Sequence, residues 1–323
     1  MRKILITGGA GYIGAHVNKC LNMHGYDTIV VDNLTYGHAE FVRWGTFVQG
    51  DIGDRPFLDD LFSKENIEAV MHFAAFAYVG ESVVDPAKYY DNNVARTLIL
   101  LDAMRRHRVN HFVFSSSCAT FGNAVYTPID EKHPQCPVNP YGHTKLVVER
   151  ILHEYDQAYG LKHCIFRYFN AAGASSDSEI GEWHEPETHL IPLILDAASG
   201  QRESIQVFGT DYPTEDGTCV RDYIHVSDLA EAHRLGMEHM LRHNVSDHFN
   251  LGCSRGYSIR EVIEATKRIT GKSIDVRCVD RRAGDPPILV GSYGKALETL
   301  GWSPKFSLDE SIESAWKWHE RKN

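Results

Sequence analysis

The chain has 323 residues, 43% of them apolar and 24% charged, and its 33 basic and 43 acidic side chains give a formal charge of −10. A chain of this length buries roughly three quarters of its unfolded surface and needs no disulfide or metal staple. The acidic balance argues against a general binder of nucleic acid or anionic membrane. The seven cysteines are scattered, with no CxxC pair, which points to thiols in a reducing compartment rather than a disulfide framework or zinc site. Apolar runs fall short of the roughly 20 residues of a membrane span. The run after Met1–Lys3 stops at Thr7, too short for a signal peptide. A cytoplasmic protein is expected.

In chain order, the first half alternates short apolar runs with amphipathic stretches. The runs are Ile4–Ile6, Thr28–Val31, Ala69–Phe73, Phe112–Phe114 and Cys164–Phe166; helical patterns cover Pro86–His107 and Tyr141–Tyr159. Continuous apolar strands separated by helices predict a Rossmann-type, doubly wound parallel sheet. Residues 171–187 are polar and read as a loop. Helices are predicted at His189–Ser199, Ser227–His243, Ser258–Thr270 and Leu308–His319. The expected organisation is a first domain over 1–169 and a smaller α/β lobe over 170–323, with a soft boundary.

Thr7–Gly14 follows a predicted strand and opens a helix, with glycines at 8, 11 and 14. Such a turn lets the backbone approach a pyrophosphate at a helix N-terminus. Asp32 ends the next apolar run, where an acid accepts from an adenosine ribose and repels a 2′-phosphate, favouring NAD over NADP. Asp51–Ile52 after the third strand suits the adenine, and the small residues of His72–Ala75 let backbone approach a ligand.

Tyr141 and Lys145 stand at i and i+4, on one face of a helix. A tyrosine is a poor base at neutrality, and a nearby ammonium favours its phenolate. Ser115–Ser117 directly follows the fifth predicted strand, which holds the Phe112–Phe114 run, at the carboxyl edge where open α/β sheets bind ligands. A hydroxyl there could hydrogen-bond a substrate oxygen.

The order Thr7–Gly14, His72–Ala75, Ser115–Gly122, Tyr141–Lys145 and Arg167–Ala174 resembles the extended short-chain dehydrogenase/reductase family. Phe208–Ala230 and Arg281–Pro287 resemble its UDP-sugar 4-epimerase branch, over nearly the whole chain. The resemblance implies NAD contacts from Gly8, Gly11, Tyr12, Ile13, Gly14, Asp32, Asn33, Asp51, Ile52, Phe73, Ala74, Asn92, Tyr141, Lys145 and Phe169. It implies Ser117, Tyr141 and Lys145 as catalytic. UDP-sugar contacts are implied for Ser117, Tyr141, Asn170, Leu190, Phe208, Arg221, Tyr223, Arg282 and Asp285. The implied reaction interconverts UDP-glucose and UDP-galactose through a transient 4-keto sugar, in a homodimer paired through Asn92–His107 and Tyr141–Tyr159.

Some positions depart from the family pattern. Ala77 stands where some members carry a lysine near the cofactor, His189 where many carry asparagine, and Gly291–Gly294 differs in a stretch expected to be distal. Leu289 occupies the position that gates the sugar pocket, which leaves a UDP-pentose or UDP-N-acetylhexosamine 4-epimerase open. Cys118 and Ala119 replace the Asp–Glu pair of a nucleotide-sugar 4,6-dehydratase. A non-catalytic nucleotide sensor would be expected to have lost Tyr141 or Lys145. No metal site is expected: His239 and His243 share a helix face but lack a third ligand in the sequence nearby.

Overall fold

The computed structural model describes residues 2–282 and 285–322. Ala283 and Gly284, inside the Arg281–Pro287 stretch, lie outside the described residues. The chain divides into two compact units. The first takes in residues 2–122, 134–167 and 230–249, and the second takes in the remaining described residues.

In the first unit, β1 (Lys3–Thr7), α1 (Tyr12–Met23), β2 (Asp27–Asp32), β3 (Thr46–Gln49), α2 (Arg55–Lys64) and β4 (Ile67–His72) alternate as the apolar runs require. After them come α3 (Val79–Val84), α4 (Pro86–Tyr90), α5 (Arg96–Arg106), β5 (His111–Ser117), α6 (Pro140–Tyr159) and β6 (Lys162–Tyr168). The sheet has seven strands in the order Asp247–Leu251, β6, β5, β4, β1, β2, β3. The pairings from β5 through β3 are parallel. Leu5, Ile6, Val30, Val70 and Met71 have no exposed surface, which is why these strands carry no polar face. Strand order reverses between β1 and β4, the kind of point at whose carboxyl ends ligands bind.

Pro86–His107 is not one helix. A wider π-type turn over Asp91–Ala95 separates α4 from α5. Asn93 accounts for it: its Oδ1 accepts from the Phe76 amide at 2.9 Å, and its Nδ2 donates to the Phe76 carbonyl at 3.0 Å and Thr144 Oγ1 at 3.2 Å. A residue anchored this way pulls the helix out of regular register, and such bulges favour functional sites. α6 has regular ends. Asn139 caps it by accepting from Gly142 N at 2.8 Å, Pro140 opens it, and Gly160 at φ +70° stops it.

The second unit is built from short strands. β7 (Asn170–Ala172) pairs in parallel with Tyr223–His225, and Ile205–Phe208 pairs in parallel with Val276–Val279. Val220–Arg221 lies between Tyr257–Ser258 and Ile288–Leu289. Its core gathers Ile191, Ile194 and Leu195 of α7 (Leu190–Ser199) with Val262, Ile263 and Ile312 of two later helices.

Candidate active site

The glycine turn has no room for a side chain at Gly8 or Gly14. Gly8 has φ +73°, and a Cβ on it would stand 2.4 Å from Ala74 N; one on Gly14 would stand 2.3 Å from Gly8 O. The Phe73–Ala74 backbone therefore packs onto the turn, held by Phe73 N donating to Thr7 O at 2.8 Å. α1 begins right after Gly11 with no side-chain cap, so its first amides point to where an anion would sit.

Asp32 closes β2 beside this turn. Its Oδ2 accepts from Ala10 N at 3.0 Å and its Oδ1 from Leu34 N at 2.9 Å. Burial pushes its carboxyl upward, and these two amides oppose the shift. Tyr12 and Gly14 are buried, and Ile13 is partly exposed. Asn33 donates to Asp51 Oδ2 at 2.9 Å, and Arg96 donates to the same oxygen at 2.7 Å. Asp51 is thus held by its own fold, while Ile52 sits in the core. Asn92, on the π-type turn, donates to Asn93 Oδ1 at 3.0 Å.

The three serines do not follow β5 as expected; they are its last three residues and are buried. Ser115 offers its carbonyl oxygen to Lys145 Nζ at 2.8 Å. Ser116 donates to Glu149 Oε1, part of a buried network in which Arg167 Nη2 meets Glu149 Oε2 at 2.7 Å and Gln135 donates to Glu149 at 2.9 Å. Glu149 and Gln135 belong to no motif that would single them out in the sequence, while Arg167 opens the Arg167–Ala174 stretch without any sign there of its buried partner. Ser117 Oγ accepts from Ala119 N at 3.1 Å, and the Ser117 hydroxyl acts to lower the Tyr141 pKa.

Lys145 Nζ lies 5.9 Å from the centre of the Tyr141 ring. Burial pushes Tyr141 up to about 12, with the Ser117 hydrogen bond acting the other way. Burial also pulls Lys145 down to about 7, opposed by Glu149. In the protein alone Tyr141 is a neutral phenol. The phenolate expected from the Tyr–Lys spacing requires further positive charge.

In the second unit, Phe208, Arg221, Arg282 and Asp285 gather. The Arg282 guanidinium lies 4.7 Å from the Phe208 ring centre, and its Nε donates to Asp285 Oδ2 at 2.9 Å. Arg221 reaches Asp285 at 3.8 Å and donates to Pro286 O at 2.8 Å. Asn170 and Tyr223 face each other across paired strands. Leu190 opens α7 and packs on that unit's core. Gly291 packs closely within the second unit: a Cβ on it would stand 2.0 Å from Phe169, and its amide donates to Asp222 Oδ2 at 3.1 Å. Asp222, fully buried, is pushed up to about 7 by burial against the amides of Cys253 and Gly291.

A parallel sheet with a glycine turn at its reversal point, and a serine–tyrosine–lysine set on β5 and α6, defines a dinucleotide-dependent α/β enzyme. The chain belongs to the NAD dependent epimerase/dehydratase family, whose model matches residues 4–252. It is 50% identical to the UDP-glucose 4-epimerase of Rhizobium meliloti (strain 1021), over 99% of this chain and 98% of that protein. The crystal structure of UDP-glucose 4-epimerase from Brucella ovis in complex with NAD superposes with a TM-score of 0.96 at 51% identity, covering 98% of both chains. The enzyme from Bifidobacterium longum in complex with NAD+ and UDP gives 0.93 at 36% identity, covering 99% of this chain and 98% of that one.

Proposed function

We propose that this protein interconverts UDP-glucose and UDP-galactose by NAD-dependent epimerisation at C4. The observation that carries the reading is Lys145, buried and fixed on Ser115 O beside the Tyr141 ring, on a sheet whose glycine turn leaves no room for a side chain at Gly8 or Gly14. The family resemblance supports the same assignment.

The residues present fit the cofactor: Gly8, Gly11 and Gly14 leave backbone free to meet a pyrophosphate, and Asp32 offers a carboxylate for a ribose hydroxyl. Tyr12, Ile13, Asn33, Asp51, Ile52, Phe73, Ala74, Asn92 and Phe169 complete the proposed set. When bound, NAD takes up and gives back the hydrogen at C4 as hydride, and its positive ring favours the Tyr141 phenolate. Tyr141 accepts the proton of the 4-hydroxyl and later returns it. Ser117 orients that oxygen, and Lys145, fixed on Ser115 O, supplies charge that stabilises the phenolate.

Arg221 and Arg282 carry forked donors suited to a diphosphate, and Asp285 an acceptor suited to a nucleoside ribose. Asn170, Leu190, Phe208 and Tyr223 complete the proposed UDP-sugar set. Anchoring the UDP firmly leaves the sugar free to turn its other face. The first unit would serve NAD and proton transfer, the second UDP recognition. We also propose a cytoplasmic homodimer. Exposed Val83, Val84, Tyr90 and Tyr159 on α3, α4 and α6 support self-association, and the seven cysteines form no disulfide among the described residues. No helix among those residues is long and apolar enough to cross a membrane.

The test is turnover of purified protein with UDP-galactose, UDP-N-acetylgalactosamine and UDP-xylose, with and without added NAD. UDP-glucose formed from UDP-galactose in preference to the other two conversions supports the reading. No product from any sugar, even with NAD, overturns it.

A further inference from the structure

The second unit brings four metal-ligand side chains together within one short stretch: Glu182, His184, Glu187 and His189. One ligand atom from each lies within 4.8 Å of all the others. His184 Nδ1 stands 3.3 Å from Glu182 Oε1 and 3.6 Å from Glu187 Oε2. His189 Nδ1 stands 2.9 Å from Glu182 Oε1 and 2.9 Å from Glu187 Oε1. Four ligands at zinc bonding distance on a tetrahedron are separated by about 3.3 Å, so these spacings straddle the edge of such a site.

The ligands are also held in place. The two carboxylate side chains are 9% and 14% exposed. Gly181 packs under Trp318, where a Cβ would stand 2.4 Å from the indole, and Trp318 Nε1 donates to Glu182 O at 3.1 Å. Glu187 Oε1 accepts from the amides of Thr188 at 2.7 Å and His189 at 2.8 Å. His189 O accepts from Leu193 N in the first turn of α7.

We propose that Glu182, His184, Glu187 and His189 form a four-coordinate site for a divalent transition cation, zinc foremost, that clamps the loop before α7. Two carboxylates and two neutral imidazoles balance a double positive charge. Two nitrogen donors in a four-fold set favour zinc over calcium or magnesium, which take six or more oxygens. Without a metal the same groups form ion pairs. Burial opposes charge on the imidazoles, but Glu182 and Glu187 outweigh it and raise His184 to about 9 and His189 to about 10.

A second group, Cys20, His24 and Glu231 in the first unit, brings three donors together. Burial, with Glu231 adding to it, pushes the Cys20 thiol up to about 12, which makes it a poor ligand. It serves as the control.

The experiment uses the full chain, stripped with chelator and titrated with zinc alone by calorimetry. Cobalt(II) is added separately to read coordination from its visible spectrum, and melting is followed with and without zinc. Wild type and C20S are expected to bind about one equivalent of zinc, to give the intense spectrum of tetrahedral cobalt, and to melt higher with zinc. H184A and E187Q, checked for folding by circular dichroism, are expected to bind more than about tenfold more weakly. Absence of stoichiometric zinc binding and of a tetrahedral cobalt spectrum in the wild type would overturn the site and leave an ion-pair network. Binding lost in C20S but kept in H184A and E187Q would also overturn it.

Discussion

Lys145 donates from Nζ to the carbonyl oxygen of Ser115 at 2.8 Å, which fixes a buried cation beside Tyr141 on the sheet edge that carries Ser117. The ammonium is therefore a placed charge rather than a flexible one. Lys145→Met removes it while keeping much of the stem, and kcat should fall by about 10²–10⁴-fold. The loss shrinks as pH rises, because Lys145 of the wild type itself gives up its proton above about 7 while the unsupported phenol of the variant ionises as conditions become alkaline. Steady-state rates from pH 6 to 10 check this, and an equal loss across that range would count against it.

Arg167 and Glu149 are expected to matter chiefly for stability, with Glu149 also opposing the fall of the Lys145 pKa. Both are nearly fully buried and bidentately bonded. Arg167→Met leaves a buried carboxylate without its cation and should cost about 3–5 kcal/mol. Removing both charges, with Glu149→Gln added, should cost less than the single change. Denaturant unfolding of Arg167→Met, Glu149→Gln and the double variant measures the coupling.

Gly14→Ala places a Cβ against Gly8 O, at a contact that the backbone of the turn cannot relieve cheaply. The variant should bind NAD at least about tenfold more weakly, since pyrophosphate recognition depends on that turn. Fluorescence titration with NAD reads this directly, and unchanged affinity would mean that the cofactor is held elsewhere.

His72 bridges Thr7 Oγ1 at 2.7 Å and Thr97 Oγ1 at 3.0 Å. Burial first, then the charge of Lys145, pulls its pKa from an ordinary 6.5 to about 3. The unfolded chain therefore binds this proton more readily than the folded one. The stability it lends is complete above about pH 6.5 and is lost as pH falls toward 3. His72→Gln should flatten the slope of unfolding free energy against pH in that window, measured by urea titration.

Much of the fold and site is legible in the sequence for a physical reason: residues close together in the chain determine it. The glycine turn, Asp32 and the Tyr141–Lys145 pair each lie within a single βα or helical segment. What the sequence hides depends on distant partners. The apolar pattern of Pro86–His107 continues through the π-type turn, because Asn93 reaches Phe76 and Thr144 outside that helix. The apolar run in β5 ends at Phe114, although Ser115–Ser117 extend the strand as buried residues, with Glu149 and Ala119 N among the partners of their hydroxyls. The second unit's strands are mostly two to four residues long, too short to show a period. Gly291 looks remote in the sequence because nothing local links it to Phe169.

The central claim is that the hydrogen removed from C4 returns to C4, so the most direct measurement uses UDP-galactose carrying deuterium at that carbon. The expected product is UDP-glucose with the label retained at C4 and no exchange with solvent, and no turnover by the Tyr141→Phe variant under the same conditions. UDP-glucose with solvent hydrogen at C4, label moved to C6 in a dehydrated sugar, or full activity in Tyr141→Phe would contradict it.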